Sequence, residues 1–200
     1  MDLWKDERLL ERIKSIRLLI LDVDGVLTDG KIIMNDQGVE TKHFDVRDGH
    51  GLKVLMRYGI GVALITGRRS SVVLHRAKDL GIEEVHQGIW NKVEAFDDIL
   101  KKYDLHPDQT AFVGDDIVDI PVMRRVGFAV AVRNADAETK KTAHYVTKKK
   151  GGQGAVREIC EIILKAKDHW RDVAMKYQME GCLPAGDGYV SSLHPRRQVI

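Results

Sequence analysis

Residues 16–26 read Ile-Arg-Leu-Leu-Ile-Leu-Asp-Val-Asp-Gly-Val, an apolar run that ends in two carboxylates one residue apart, Asp22 and Asp24. A short apolar run closed by an acidic turn reads as a buried strand. Charged side chains are rarely buried without a partner, so this strand needs a cation, a proton or a strong set of donors at its end. A calcium loop does not fit: Gly25 comes too early, and Ile33 stands where such a loop needs its glutamate.

Working outward, Leu3, Leu9, Leu10 and Ile13 predict a short amphipathic helix ahead of the strand. Behind it, Lys31–Met34, the turn Asn35-Asp36-Gln37-Gly38 and Val39–Phe44 predict a β-hairpin, the one antiparallel signal in the chain. From there helices and strands alternate. The predicted elements are a helix over Gly49–Tyr58, a strand over Gly61–Ile65, a helix over Ser70–Leu80, a strand over Glu84–His86 and a helix over Lys92–Tyr103. A strand over Thr110–Val113, a helix over Ile117–Val126, a strand over Phe128–Ala131, a short helix near Ala137 and a strand over His144–Val146 follow. A last helix runs from Ala155 to about Met175, after Gly151-Gly152-Gln153-Gly154. Repeated βα units predict an α/β, Rossmann-like three-layer fold, a parallel sheet with helices on both faces. Residues 1–178 are expected to form a single domain, and 179–200, poor in apolar residues, a disordered tail.

Composition narrows the function classes. The 200 residues are 44% hydrophobic and 31% charged, enough for one real core, and the formal charge of +2 is too small to argue for nucleic acid. Lys148-Lys149-Lys150 reads as a solvated loop. Cys160 and Cys182 form no CxxC pair, the charged N-terminus lacks the apolar core of a signal peptide, and no run approaches a membrane span. A cytoplasmic protein without membrane contact is expected.

In open parallel sheets, ligands bind beyond the carboxyl ends of the strands. Three predicted strand ends carry polar signatures there: Asp22 and Asp24, Thr66-Gly67-Arg68, and Gly114-Asp115-Asp116; Lys92 opens a helix on the same rim. This set suits phosphoryl transfer. A carboxylate can attack phosphorus and form an aspartyl-phosphate, provided a magnesium ion relieves the repulsion between anions. Asp22 is then the nucleophile, and Asp22, Asp24 and Asp115 are the candidate metal carboxylates. Thr66, Gly67 and Lys92 would bind phosphate oxygens, and Asp24 would protonate the leaving oxygen and then activate water. Asp116 is expected near the metal through water; Asp119 either braces the fourth loop or touches the metal. The histidines show no paired metal spacing, and His43, Asp45, Arg47 and Arg157 are left between surface, substrate and subunit roles.

These motifs, DVDGVLTDG, ITGR, GIWNK and GDDIVD, resemble in order the four motifs of the haloacid dehalogenase superfamily of phosphotransferases, over about Ile16–Glu161. The resemblance implies hydrolysis, since phosphatases of the superfamily keep the second aspartate. Members acting on small substrates usually carry a cap domain, for which there is no room either between Asp24 and Thr66 or between Lys92 and Asp115. The hairpin, KHFDVRDGHGL and GGQGAVREIC closely resemble the 3-deoxy-D-manno-octulosonate 8-phosphate phosphatases. That resemblance implies an eight-carbon sugar-acid phosphate substrate and a homotetramer in which a neighbouring subunit covers the active site. Arg68, a candidate ligand of the sugar carboxylate, favours this over a phosphatase for nine-carbon, sialic-acid-type ulosonates, where a related protein has an acidic residue at this point. Trp90-Asn91 depart from the small or polar residues of many relatives. A receiver-type signalling domain and a catalytically silent scaffold are the rival readings; the Asp-x-Asp spacing, the hairpin and the complete motif set argue against them.

Overall fold

The four residues Leu18–Leu21, all buried, form the first strand, β1, of the computed structural model, which describes residues 3–179. Before it, a 3-10 turn at Leu3–Lys5 leads into α1 (Glu7–Ser15), capped by Asp6 and seated by Leu9 and Ile13. After it come the hairpin strands β2 (Ile33–Met34) and β3 (Glu40–Thr41), then α2 (Val46–Arg57), β4 (Gly61–Thr66), α3 (Ser71–Leu80), β5 (Glu84–Gln87) and α4 (Lys92–Tyr103). The chain continues with β6 (Thr110–Gly114), α5 (Ile120–Met123), β7 (Phe128–Ala131), α6 (Ala137–Thr142), β8 (Tyr145–Val146), α7 (Ala155–Ala166) and α8 (Trp170–Lys176).

Six strands form one parallel sheet in the order β5-β4-β1-β6-β7-β8, and β2 and β3 pair antiparallel apart from it. The chain runs outward from β1 to β4 and β5, then returns to β6 on the other side of β1. The order therefore reverses between β1 and β6, which places the crevice of a doubly wound sheet at the end of the opening strand. Register levels the strand ends: Leu21 pairs with Leu64 on one side and Val113 on the other. Asp22, Thr66 and Asp115 thus emerge on one rim.

The core lies on both faces of this sheet. Phe96, Phe112 and Phe128 are its largest fully buried side chains, each stabilising the fold by about 1.5–3 kcal/mol through removal from water. No helix among the described residues is long and apolar enough to cross a membrane.

Four elements differ from the sequence expectations. α2 starts at Val46 because Asp45 accepts the Arg47 amide at 2.7 Å and caps the helix three residues early. Gly49 and Gly51 lie inside α2, where a Cβ would crowd Arg76 and Arg157. The helix expected over Ile117–Val126 is a 3-10 turn, Ile117–Asp119, followed by one turn of α-helix, with Pro121 at its start and Gly127 soon after. The long last helix is broken in two at Asp168, whose φ is +61°, and His169 beyond the break stacks on Tyr58. The hairpin strands are two residues each, shorter than expected, and the 35–38 turn is held by Asn35 Oδ1 accepting the Gln37 and Val39 amides. The tail expectation for 179–200 lies, beyond Met179, outside the described residues.

Candidate active site

The turn after β1 is built by backbone geometry. Asp22 donates its amide to Val113 O at 3.0 Å, and the amides of Val26, Leu27 and Thr28 all converge on Val23 O. The Thr28 hydroxyl accepts from Gly25 N and Gly30 N, which closes the turn. Gly25 has φ +96° and leaves no room for a Cβ against Asp115, so a side chain there would be strained and would displace a carboxylate. Gly151 leaves none against Gly25 O, and Gly152 donates to Val26 O at 2.9 Å, so the glycine-rich segment before α7 supports the turn from behind.

Around this turn lies an open cavity of about 300 Å³. Asp22, Asp24, Thr66, Gly67, Arg68, Lys92, Asp115 and Asp116 all line it, as the sequence predicted. Lys92, nearly fully buried in the first turn of α4, lies 2.8 Å from Asp22 Oδ1 and 2.7 Å from Asp119 Oδ1. Asp119 stands behind the cavity wall, fully buried; its other oxygen accepts the amides of Asp115 at 2.9 Å and Asp116 at 3.3 Å. Of the two roles left open for it, the brace is the one its hydrogen bonds describe. Gly114 has to be glycine because a Cβ would collide with that carboxylate. Asp116 Oδ1 accepts the Ile117 amide and caps the 3-10 turn.

Carboxylate oxygens of Asp22, Asp115 and Asp119 come within 4.8 Å of one another. One lysine does not balance three acids. Burial pushes Asp22 up to about 6, with Asp119 adding to the rise and Lys92 opposing it. Asp115 is pushed up to about 8, first by burial and then by Asp22, Asp119 and Asp116. Burial would also pull Lys92 down, but Asp22 and Asp119 outweigh it and hold the ammonium above its ordinary value. An all-oxygen site with surplus negative charge suits a hard divalent cation. Since both Asp119 oxygens are committed to donors, Asp22 and Asp115 are the side chains fitted to hold it.

Asp24, expected both as metal carboxylate and as proton carrier, has its side chain outside this cluster. Its Oδ1 pairs with Lys42, whose buried ammonium also lies 3.3 Å from Glu40; its Oδ2 is buried and makes no hydrogen bond among the described residues. Arg68 approaches this oxygen with Nε at 3.8 Å and donates from Nη2 to Glu40 Oε1 at 2.8 Å. Lys42 and Glu40 were not singled out from the sequence. Their one signal is alternation in Glu40-Thr41-Lys42, which sends both side chains of the hairpin's returning strand toward the same side. Trp90, 87% exposed, forms part of the cavity wall, on a loop tied to the Thr66 turn by Ile89 N to Thr66 O at 3.1 Å and Gly88 N to Arg68 O at 3.2 Å.

Known proteins are similar to this chain in sequence and in structure. A family model for haloacid dehalogenase-like hydrolases matches residues 81–159. The chain is 49% identical over 159 residues to the 3-deoxy-D-manno-octulosonate 8-phosphate phosphatase KdsC of Yersinia pestis, covering 80% of this chain and 85% of that one. Its structure is similar to the 3-deoxy-D-manno-octulosonate 8-phosphate phosphatase of Moraxella catarrhalis in complex with magnesium, phosphate and KDO. That match has a TM-score of 0.85 at 42% identity and covers 86% of this chain and 99% of that one. It is also similar to the cobalt-bound deoxy-D-mannose-octulosonate 8-phosphate phosphatase of Haemophilus influenzae, with a TM-score of 0.80 at 38% identity over 84% and 99% of the two chains. With the Asp22 turn, the threonine, the lysine and the acidic loop on one rim, and with relatives this similar over most of its length, the chain belongs to the haloacid dehalogenase-like hydrolases and, among them, to the 3-deoxy-D-manno-octulosonate 8-phosphate phosphatase family.

Proposed function

We propose that this chain hydrolyses 3-deoxy-D-manno-octulosonate 8-phosphate to 3-deoxy-D-manno-octulosonate and phosphate, through an aspartyl-phosphate on Asp22. The observation that carries this reading is the different setting of the two aspartates of one turn, both of which line the cavity: Asp22 is held against Lys92, while Asp24 pairs with Lys42.

An oxygen of Asp22 attacks phosphorus, and the bond from phosphorus to the sugar oxygen breaks. Asp24 delivers its proton to that departing oxygen. A water then attacks the phosphorus of the aspartyl-phosphate, Asp24 takes the water's proton, and Asp22 is released with inorganic phosphate. Lys92 offsets negative charge on the transferring group, while Thr66 and the Gly67 amide are placed to bind its remaining oxygens. Lys42 and Glu40 fix the position of Asp24 and Arg68, and the partly exposed Arg68 side chain stands on the cavity wall as the candidate ligand of the sugar carboxylate. Bound magnesium, held by Asp22 and Asp115, would supply charge neutralisation and orientation of the phosphate.

The cavity is open, and among the described residues no cap domain stands over it. Ile32, Met34 and Val39 on the hairpin are each more than half exposed, an apolar surface that suits assembly of the expected homotetramer in the cytoplasm, with a neighbouring subunit closing each cavity. Phosphate release with magnesium, measured side by side on the octulosonate 8-phosphate and a nonulosonate 9-phosphate, tests the substrate. The eight-carbon ester should have the higher kcat/KM; a preference for the nine-carbon ester would overturn the reading.

A further inference from the structure

We propose that a second cavity, sharing no lining residue with the catalytic one, binds phosphate-bearing small molecules without magnesium. It has a volume of about 470 Å³ and lies between the start of α2, the 148–154 loop and α7. The residues left without a role by the sequence, Arg47, Lys148, Lys149 and Arg157, meet there with Glu158 and Glu161.

The two acids are already engaged. Glu158 accepts the Lys148 and Lys149 amides, from 2.9 Å, and the Tyr145 hydroxyl at 2.7 Å, and so fixes the loop that carries the lysines. Glu161 accepts Arg157 Nε at 2.8 Å and lies 3.5 Å from the Lys165 ammonium. The cations are less engaged. Among the described residues, neither the Lys148 nor the Lys149 ammonium has a carboxylate within ion-pair distance. Arg47 uses Nε and Nη2 on Asp45, and Arg157 uses Nε on Glu161 and Nη1 on His50 Nδ1; each guanidinium keeps a further terminal nitrogen.

Charge separates the two cavities. The catalytic one sets four carboxylates against two cations and favours a metal ion; the second sets four cations against two spent carboxylates. Two guanidinium forks and two ammoniums without a carboxylate partner among the described residues are suited to a group with several charged oxygens, and phosphate is that group. The volume exceeds what one orthophosphate fills, which points to a diphosphate or a sugar phosphate.

Equilibrium dialysis of radiolabelled pyrophosphate against the full chain in EDTA tests this. Without metal the acidic catalytic cavity repels the anion, so the result does not depend on the catalytic reading. One pyrophosphate should bind per chain, more weakly as salt is raised. In the double variant Lys148→Glu/Lys149→Glu, binding should weaken by roughly tenfold or more, as lost charge-assisted hydrogen bonds do, with an unchanged melting temperature in anion-free buffer. Displacement by glucose 6-phosphate but not by orthophosphate identifies a sugar phosphate as the ligand class; displacement by neither identifies the diphosphate. Absence of binding at millimolar pyrophosphate, or binding that survives the double charge reversal, overturns the proposal.

Discussion

At the scale of single residues, the chemistry rests on acids that cannot all be ionised together without help. Asp22 and Asp115 have folded-state values of about 6 and about 8, above the ordinary 3.8 of an aspartate. Between those limits the metal-free native protein keeps protons that the unfolded chain has released, so its stability is highest at the acidic end and falls as pH rises through 6 and then 8. Denaturant unfolding in EDTA should therefore show a less stable protein at about pH 8.5 than at about pH 5.5. Magnesium should recover more stability at the higher pH, and Asp115→Asn should remove most of the slope. Trp90 is a different case, an indole held in solvent at the wall of the open cavity. Trp90→Ala should raise KM several-fold, about 1 kcal/mol of lost aromatic contact, with kcat within about twofold. An unchanged KM would remove Trp90 from the substrate's path.

At the scale of elements, the turn after β1 depends on a segment more than a hundred residues away. Gly151 lies against Gly25 O and Gly152 hydrogen-bonds Val26 O. Gly151→Ala should push the turn out of place and lower kcat by about 100-fold, the usual scale for an ångström's misplacement, while circular dichroism still reports a folded chain. Native-like kcat in that variant would show that the support is dispensable. Much of this level was legible in the sequence. The parallel strands, Lys92 opening α4 and the three polar strand ends follow from periodicity and from the rule that sheets bind ligands at strand carboxyl ends. What was not legible came from contacts between distant segments. Pro121 and Asp168 break helices whose apolar spacing alone reads as continuous. Lys42 and Glu40 carried only the two-residue alternation of a short strand, which does not say that they face Asp24 and Arg68. Asp119 carried two readings that only the Asp115 and Asp116 amides could separate.

At the scale of the whole molecule, the exposed hairpin and the open cavity belong to one argument. An apolar surface on a short two-stranded ribbon has little reason to face water, and a phosphatase cavity without a cap works best when something excludes water from it. Met34→Lys combined with Val39→Lys should lower the assembly state seen by light scattering and raise KM together with it; a native-sized assembly would show that the hairpin does not join subunits. All of this presupposes that Asp22 is the group that accepts the phosphate. The most direct measurement is kcat of Asp22→Asn on 3-deoxy-D-manno-octulosonate 8-phosphate with magnesium, in protein whose circular dichroism is unchanged. The predicted result is a loss on the order of 10⁴-fold or more, the scale on which removal of a nucleophile acts. Turnover within tenfold of the native chain would contradict it.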